Sequence, residues 1–217
     1  RCAEIMGKPI DKLKLITCHL GNGSSITAVQ DGHVLDTTMG LTPLDGFMMG
    51  TRSGTLDPSV VTFIMEKENL TPKEMDNILN KKSGLLGVSG VSSDARDVAQ
   101  AVVEGNPRAV LAQEMLVYQI VKYIGAFAAA MNGVDAIVFT AGLGENHVIV
   151  RQRVCESLKY LGVIPDINLN EKMTRGNEGK ITTENSTVDV YVIPTNEELV
   201  IARDTRSILE AMQYANL

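Results

Sequence analysis

Alternating and continuous apolar runs predict three strands near the start of the chain. The segment 12–20 (KLKLITCHL) ends in an apolar, β-branched run that is typical of a buried strand. After the turn formed by 21–23 (GNG), the segments 25–30 (SITAVQ) and 33–37 (HVLDT) alternate on either side of Asp31-Gly32, which is a hairpin signal. The pattern therefore predicts three consecutive antiparallel strands.

Helical spacing follows a long loop rich in Gly and Met. Asp57-Pro58 and Thr71-Pro72 each place an N-cap residue before a proline at the first helical position, and we expect the first of these helices to reach about Glu68. A longer pattern begins at Asn106-Pro107 and ends near Asn132-Gly133, with apolar residues at three- and four-residue steps, which predicts a helix buried on one broad face. The residues that carry this pattern are Val110, Leu111, Met115, Leu116, Ile120, Ile124 and Phe127.

Two later segments share one order of strand, turn and helix. The run 136–140 (AIVFT) is continuously apolar, as in a strand covered on both faces, and 141–146 form a turn into a helix that begins near His147. The same order recurs with a strand over 189–193 and a helix over 197–212.

The polar stretch 168–187 lies between these two units and is expected to be a surface excursion or a small hairpin. No fixed-period repeat or low-complexity tract interrupts the chain, whose 217 residues allow one large domain or two small ones.

Charge and cysteine content narrow the functional classes. With 26 acidic and 20 basic residues, the chain has a formal net charge of −6, which disfavours nucleic acid and membrane surfaces as partners. Cys2, Cys18 and Cys155 show no Cys-x-x-Cys spacing, so we expect buried free thiols and a cytoplasmic location.

No membrane span or secretory signal is expected. The longest uncharged stretches, 15–30 and 123–134, fall short of the ~20 apolar residues that a spanning helix needs. The chain starts at Arg1 without a charged and apolar leader, and this start resembles a cut through a longer protein.

Glycine-rich turns after predicted strands are candidates for anion binding. The sequence contains no Gly-x-x-x-x-Gly-Lys-Ser/Thr motif, and the Gly-x-Gly patterns at 21–23 and 142–144 do not extend to Gly-x-Gly-x-x-Gly. Small residues nevertheless let backbone N–H groups approach an anion, and His19 and Ser24-Ser25 add donors. The segment 21–23 could equally be a simple hairpin turn.

Three charged positions have both a chemical and a structural interpretation. Arg52 lies in the glycine-flanked loop 49–54 (MGTRSG), where its guanidinium could stabilise a transferring phosphoryl group or could simply be solvated. Asp94 precedes a helix and could be its N-cap, a ligand contact or both. The acidic pair in 195–198 (TNEE) could favour the helix dipole or hold Mg²⁺.

The sequence lacks the motifs of two other enzyme classes. The three histidines and Cys18 do not have zinc-ligand spacing, so no zinc site is predicted. No Gly-x-Ser-x-Gly motif is present, which argues against a serine hydrolase.

Six segments together resemble the signature of the acetate kinase family. The early ones are 18–25 (CHLGNGSS), 36–46 (DTTMGLTPLDG) and 49–54 (MGTRSG). The later ones are 91–97 (VSSDARD), 139–146 (FTAGLGEN) and 194–202 (PTNEELVIA). They follow one another in order along essentially the whole chain.

This resemblance implies an α/β fold of the ribonuclease H-like type, with a mixed sheet and helices on both faces, as in actin-like ATPases and sugar kinases. It further implies that residues 1–217 are the C-terminal, nucleotide-binding domain of a two-domain enzyme that forms a homodimer through this domain. The predicted order of strands and helices agrees with that fold.

The implied activity is Mg²⁺-dependent phosphoryl transfer between ATP and acetate, giving ADP and acetyl phosphate. In the family pattern, Arg52 stabilises the transferring phosphoryl group, Pro43 lines the pocket for the acetate methyl, and Glu197 occupies a Mg²⁺ position. The positions that match the nucleotide-binding residues are His19, Leu20, Gly21, Asn22, Gly23, Asp94, Ala95, Arg96, Gly142, Leu143, Gly144, Glu145 and Asn146.

The family's catalytic aspartate, a substrate-binding arginine, a metal-position asparagine and a second stabilising histidine lie upstream of Arg1. The resemblance therefore implies that this chain alone is nearly inactive. A propionate or butyrate kinase is an alternative, because one methylene discriminates by only ~1–3 kcal/mol. A non-catalytic actin-like nucleotide-binding module is another, although Arg52 and the pocket residues Thr42-Pro43 argue against it.

Overall fold

The computed structural model describes residues 1–215. Its six strands are β1 (Lys14–Leu20), β2 (Ser24–Gln30), β3 (His33–Thr37), β4 (Ala136–Thr140), β5 (Gly179–Lys180) and β6 (Asp189–Val192). The helices are α1 (Cys2–Met6), α2 (Pro58–Glu68), α3 (Pro72–Lys81), α4 (Gly84–Ser89), α5 (Ala95–Val103), α6 (Pro107–Ala130), α7 (Ala141–Asn146), α8 (Val148–Ser157), α9 (Ile167–Lys172) and α10 (Glu197–Ala215). Short 3₁₀ turns cover Ile10–Lys12 and Lys159–Leu161.

The strands form one mixed sheet in the order β3-β2-β1-β4-β6-β5. β1, β2 and β3 are joined antiparallel, β4 lies parallel to β1, and β6 lies parallel to β4. The carboxyl ends of β1, β4 and β6 therefore meet at one edge of the sheet, which is where open α/β sheets bind ligands.

Both faces of the central strand β4 are covered, whereas the edge strand β3 is exposed, and the expected α/β fold is confirmed. Successive side chains of a strand point to opposite faces, so Ile137 and Phe139 pack with α6 while Ala136 and Val138 join a second cluster that contains Cys2 of α1. All four of these β4 residues are buried, as the continuous apolar run predicts.

The long helix is confirmed as α6, but its buried face differs in part from the prediction. Val110 and Leu111 are 38% and 52% exposed, whereas Ala109 and Ala112 are fully buried. With 3.6 residues per turn, these alanines continue the stripe of Leu116, while Val110 and Leu111 are rotated out of it. Small residues therefore form the contact at this end of the helix.

The segment 141–146 is helical rather than a simple turn. β4 leads directly into α7 through Ala141, whose φ of 64° is in the left-handed region. This conformation turns the chain without intervening loop residues, which places α7 immediately beyond the sheet edge.

The interpretation of 168–187 as a surface excursion is wrong in part. The region contains most of α9 and the edge strand β5, and Asn170, Ile181 and Thr182 are each at most 1% exposed. Its apolar residues are too sparse to show periodicity, and the buried Asn170 side chain is satisfied by a hydrogen bond that the Arg151 guanidinium donates.

The three cysteines are free and buried, as predicted. Across residues 1–215, we find no helix that combines the length and the apolar character of a membrane span.

Candidate functional site

A cavity of about 700 Å³ opens at the sheet edge where β1 and β4 end. Its walls come from the turn after β1, from Gly50 of the loop 38–57, from Leu85 of α4, from the region before and along α5, and from the α7–α8 segment. The volume is in the range of small-molecule sites.

Eight of the predicted nucleotide-binding residues line this cavity. They are Gly21, Asn22, Asp94, Ala95, Arg96, Gly142, Leu143 and Asn146. The remaining predicted site residues, which do not line it, are His19, Leu20, Gly23, Gly144, Glu145, Arg52, Pro43 and Glu197.

Sequence reasoning missed an apolar part of the cavity wall. Ala99 and Val103 of α5 lie here, opposite Val148 and Ile149 of α8. The spacing Ala95, Ala99, Val103 is i, i+4, i+8, so these residues share one helix face, and that periodicity was the available signal.

His147 also lines the cavity and caps α8. Its Nδ1 accepts a hydrogen bond of 3.3 Å from the backbone N–H of Val150. Burial lowers the pKa of His147, so the neutral form is favoured. A histidine at an N-cap is uncommon, and the sequence carried no signal for this role.

The segment 21–23 is both a hairpin turn and a wall of the cavity. It joins β1 to β2, with Leu20 opposite Ser24, and the Ser24 hydroxyl donates to the Gly21 carbonyl over 2.9 Å. A Cβ built on Gly21 would lie 3.6 Å from the Cβ of Ala141, so the turn packs against the start of α7. The hairpin interpretation is therefore confirmed, while anion binding by this segment stays a prediction.

Arg52 lies beside this glycine turn although it is about thirty positions away in sequence. A Cβ built on Gly23 would lie 3.2 Å from Nη1 of Arg52. The same Nη1 is 3.5 Å from the carbonyl oxygen of Pro43 and 3.6 Å from the sulfur of Met49. Within residues 1–215, no ion pair involves this guanidinium, so its charge is not neutralised by a carboxylate.

Backbone hydrogen bonds fix the Arg52 end of the loop against α3 and α4. The N–H of Met49 donates to the carbonyl of Arg52 over 3.0 Å, and Ser53 N–H donates to the carbonyl of Leu79 over 3.0 Å. Leu85 N–H in turn donates to the Met49 carbonyl over 2.8 Å. The position of Arg52 is therefore set by the backbone.

Asp45 ties the two ends of the same loop together. Its carboxylate accepts from the Thr55 hydroxyl over 2.7 Å and from the Gly46 N–H over 2.8 Å. These hydrogen bonds, the one from Thr55 first, hold the pKa of Asp45 below its usual range. Pro43 and Arg52 consequently belong to one internally bonded loop.

Replacing Gly84 should disturb this loop strongly. Gly84 has a φ of 63°, and a Cβ there would lie 2.1 Å from the Met49 carbonyl oxygen and 2.8 Å from the Arg52 carbonyl oxygen. We expect Gly84→Ala to reduce the free energy of unfolding by about 3 kcal/mol in urea denaturation, because backbone must move and the left-handed conformation is strained.

Gly105→Ala is the matched control, because its φ is 82° but nothing lies within 4 Å of the added Cβ. It should cost only the conformational strain, about 1 kcal/mol. Equal losses in the two variants would show that contact with the Arg52 loop does not matter.

Asp94 is the N-cap of α5, as one interpretation predicted. Its carboxylate accepts from the backbone N–H of Arg96 over 2.8 Å and pairs with the Arg96 guanidinium at 2.5 Å. The side-chain hydrogen bonds from Arg96, followed by the backbone one, lower the pKa of Asp94 to about 2. Asp94 stays ionised at neutral pH and holds Arg96 at the cavity.

The corner before α10 is tied to the end of β4 and to α7. The hydroxyls of Thr140 and Thr195 are 2.7 Å apart, and the N–H of Thr195 donates to the Glu145 carboxylate over 3.0 Å. Asn196 caps α10 by accepting from the N–H of Leu199 over 3.0 Å. Capping is therefore performed by the asparagine, and Glu197 lies exposed in the first turn.

The carboxylate oxygens at this corner fit a hard cation whose other ligands come mainly from the substrate phosphates and water. Mg²⁺ is usually held by one or two carboxylates, waters and substrate phosphates, and Glu197 with its neighbour Glu198 offers such carboxylates beside the sheet edge. Among the side chains that the structure describes, no group of three or more His, Cys, Asp or Glu residues forms a cage for a metal.

Comparisons with known proteins agree on one family. The family model of the acetokinase family matches residues 1–203. The acetate kinase of Halothermothrix orenii is 56% identical over 211 residues, which are 97% of this chain and 52% of that protein. The chain thus spans about half the length of the curated relatives it matches.

Two solved structures share this fold. The structure of Porphyromonas gingivalis acetate kinase superposes with a TM-score of 0.93 at 51% identity, covering 96% of this chain and 52% of that one. A propionate kinase from Francisella tularensis has a TM-score of 0.85 at 43% identity, covering 92% and 50%. The matching sequence, the shared fold and the cavity at the sheet edge lead to one conclusion: this chain belongs to the acetokinase family.

Proposed function

We propose that this chain is the C-terminal, nucleotide-binding domain of an acetate kinase. The complete enzyme would interconvert ATP and acetate with ADP and acetyl phosphate by direct, Mg²⁺-dependent transfer. The observation that carries the proposal is the guanidinium of Arg52, which forms no ion pair within residues 1–215 and lies beside the glycine turn, with Nη1 3.2 Å from a Cβ built on Gly23.

The cavity suits a nucleoside polyphosphate because its two parts differ in chemistry. Ala99, Val103 and Ile149 offer apolar contact for a base and ribose. At Gly21 a phosphate oxygen can approach the backbone closely because no side chain intervenes, and the Asn22 side chain in the cavity wall adds amide donors. A nucleotide in this orientation directs its terminal phosphate toward Arg52.

We assign to Arg52 the role of stabilising the phosphoryl group while it is transferred. Negative charge spreads over the equatorial oxygens in such transition states, and a fixed guanidinium lowers their energy without reorganisation. Nη1 of Arg52 lies 3.5 Å from the carbonyl oxygen of Pro43. The pocket for the acetate methyl, which we assign to Pro43, therefore adjoins the positive charge of Arg52.

Mg²⁺, when bound, would neutralise charge on the nucleotide phosphates. Glu197 is the residue of this chain that we assign to it. The carboxylate lies at the amino end of α10, just beyond β6, and the ends of β1 and β4 are at the same sheet edge. His19, Leu20, Gly23 and Gly144 would act by shaping the backbone of the turns around the phosphates.

A propionate or butyrate kinase is the alternative, and the likeness to a structure named propionate kinase favours keeping it. Acetate, propionate and butyrate differ by one methylene each, and an apolar pocket distinguishes such acids by only ~1–3 kcal/mol of binding free energy per methylene. Comparing kcat/KM for acetate, propionate and butyrate in the complete enzyme separates the candidates. A non-catalytic nucleotide-binding module would have no need for Arg52 at the glycine turn.

Ligand binding by the isolated chain tests the proposal. Calorimetry should show ADP binding, while ADP-dependent consumption of acetyl phosphate should be far below that of a complete enzyme, because groups from both halves position the reactants. Absence of ADP binding, or turnover near that of the complete enzyme, would contradict it. The homodimer and the cytoplasmic location also stay predictions.

A further inference from the structure

Glu145 is part of α7 but does not share its role in the cavity. Gly142, Leu143 and Asn146 of this helix line the cavity, whereas Glu145 does not. Its carboxylate Oε1 accepts the backbone N–H of Thr195 over 3.0 Å. The Glu145 side chain therefore points from α7 to the corner before α10.

The position of α7 is fixed because a buried arginine hydrogen-bonds to the carboxyl end of this helix. Arg151 is fully buried, and its Nη1 donates to the carbonyls of Gly144 at 3.0 Å and Glu145 at 2.7 Å. Carbonyls at a helix end otherwise lack partners, so these bonds fix the last turn. The backbone of Glu145 is thereby immobilised.

The corner that Glu145 holds has few other constraints. Every side chain from Glu197 to Met212 whose exposure is described is exposed, so packing of α10 on the sheet does not orient its first turn. Two contacts tie Thr195 to the rest of the fold, the Glu145 carboxylate and the Thr140 hydroxyl at 2.7 Å. Glu197 follows only two residues later.

We infer that Glu145 is a positioning residue whose carboxylate fixes the corner 195–197 relative to α7, and so sets where Glu197 meets a metal bound to the nucleotide. The metal part of this inference rests on the proposed function. The hydrogen bond to Thr195 stands on the geometry alone. In this role Glu145 acts through Thr195 and makes no contact with the nucleotide itself.

Amide hydrogen exchange in the complete enzyme tests the hydrogen bond directly. Glu145→Ala should speed exchange of the Thr195 N–H by at least about fivefold, because a charge-assisted bond is lost. Glu145→Gln keeps an acceptor oxygen at the same place and should stay close to the wild type. Glu156→Ala is the control, since Glu156 lies on α8 and its carboxylate accepts from Gln152.

Binding of Mn²⁺, followed by electron paramagnetic resonance in the presence of ADP, tests the consequence for the metal. Glu145→Ala should weaken Mn²⁺ binding several-fold while the affinity for metal-free ADP changes less than about twofold, and Glu145→Gln should recover most of the loss.

Two results would overturn the inference. Unchanged Thr195 exchange in Glu145→Ala would show that the carboxylate does not hold the corner. Equal loss of metal-free ADP affinity in the Ala and Gln variants would show a direct contact with the nucleotide. If the wild type bound no ADP at all, the proposed function would fail, whereas the exchange measurement would still decide the role of Glu145 at Thr195.

Discussion

Arg52→Ala should lower kcat of the complete enzyme by about three orders of magnitude, the largest effect on activity that we expect from a single residue of this chain. Charge-stabilising arginines in phosphoryl transfer contribute ~10³–10⁵ in rate. The guanidinium has no carboxylate partner in the described structure, so its full charge is available beside the glycine turn. Steady-state kinetics in the direction of ATP formation measure the effect.

The change should fall on kcat rather than on nucleotide affinity, because the charge on the phosphoryl oxygens becomes most important in the transition state. Arg52→Lys should restore part of the rate, since it keeps the charge but loses the planar fork. Arg153→Ala is the control, because that arginine pairs with Glu114 on the surface, away from the cavity. A kcat for Arg52→Ala within tenfold of the wild type would remove Arg52 from the mechanism.

Arg151→Met should reduce the free energy of unfolding by about 3–5 kcal/mol, the largest loss of stability that we expect. Arg151 is 0% exposed, and its guanidinium donates to the Asn170 side chain and to backbone carbonyls. These carbonyls belong to Gly144, Glu145, Asn170 and Met173. Methionine fills the volume and leaves each of them without its donor.

Burial lowers the pKa of Arg151 to about 10, so the guanidinium still carries its charge at neutral pH. Its hydrogen bonds to the carbonyl oxygens of α7 and the α9 segment stabilise this buried charge and tie the two elements together. Loss of the side chain should therefore loosen both elements, including the part of the cavity wall that α7 forms.

Urea denaturation of the wild type and two variants measures the effect. Arg153→Met is the matched control, since Arg153 is on the same helix and its ion pair with Glu114 is partly exposed to solvent, where such a pair is worth about 1 kcal/mol. If the two variants lost the same stability, the network around Arg151 would not be important for the fold.

The elements that the sequence predicted well are those with local signals. Asp57-Pro58 and Asn106-Pro107 mark helix starts because an N-cap side chain and a proline act within a few residues, and α2 and α6 begin at those prolines. The buried strand β4 follows from a continuous apolar run. Where the signal was weak, as at Ile181 and Asn170, these buried residues were wrongly placed on the surface.

For the candidate site, too, the sequence could predict only residues that have a local signal. Gly21 could be recognised as a candidate turn residue because a small residue directly after an apolar strand has a local meaning, whereas Gly142, recognised in the same way, lies in helix α7. No local pattern shows that Arg151 is buried, since an arginine is normally exposed and its partners come from α7 and α9.

The amino-acid sequence by itself determined the elements with short-range signals, because periodicity and backbone preference act over a few residues. These are the first three strands, β4, β6, α6, α10, the N-caps at Asp57, Thr71 and Asn106, and the turn at 21–23. It carried no signal for α7, α9 or β5. Only the tertiary structure decided that Arg52 lies beside Gly23, that Gly84 supports the Arg52 loop and that Glu145 holds Thr195. Such contacts join residues that are tens of positions apart. They arise because the parallel strands end at one edge of the sheet and so bring distant turns together.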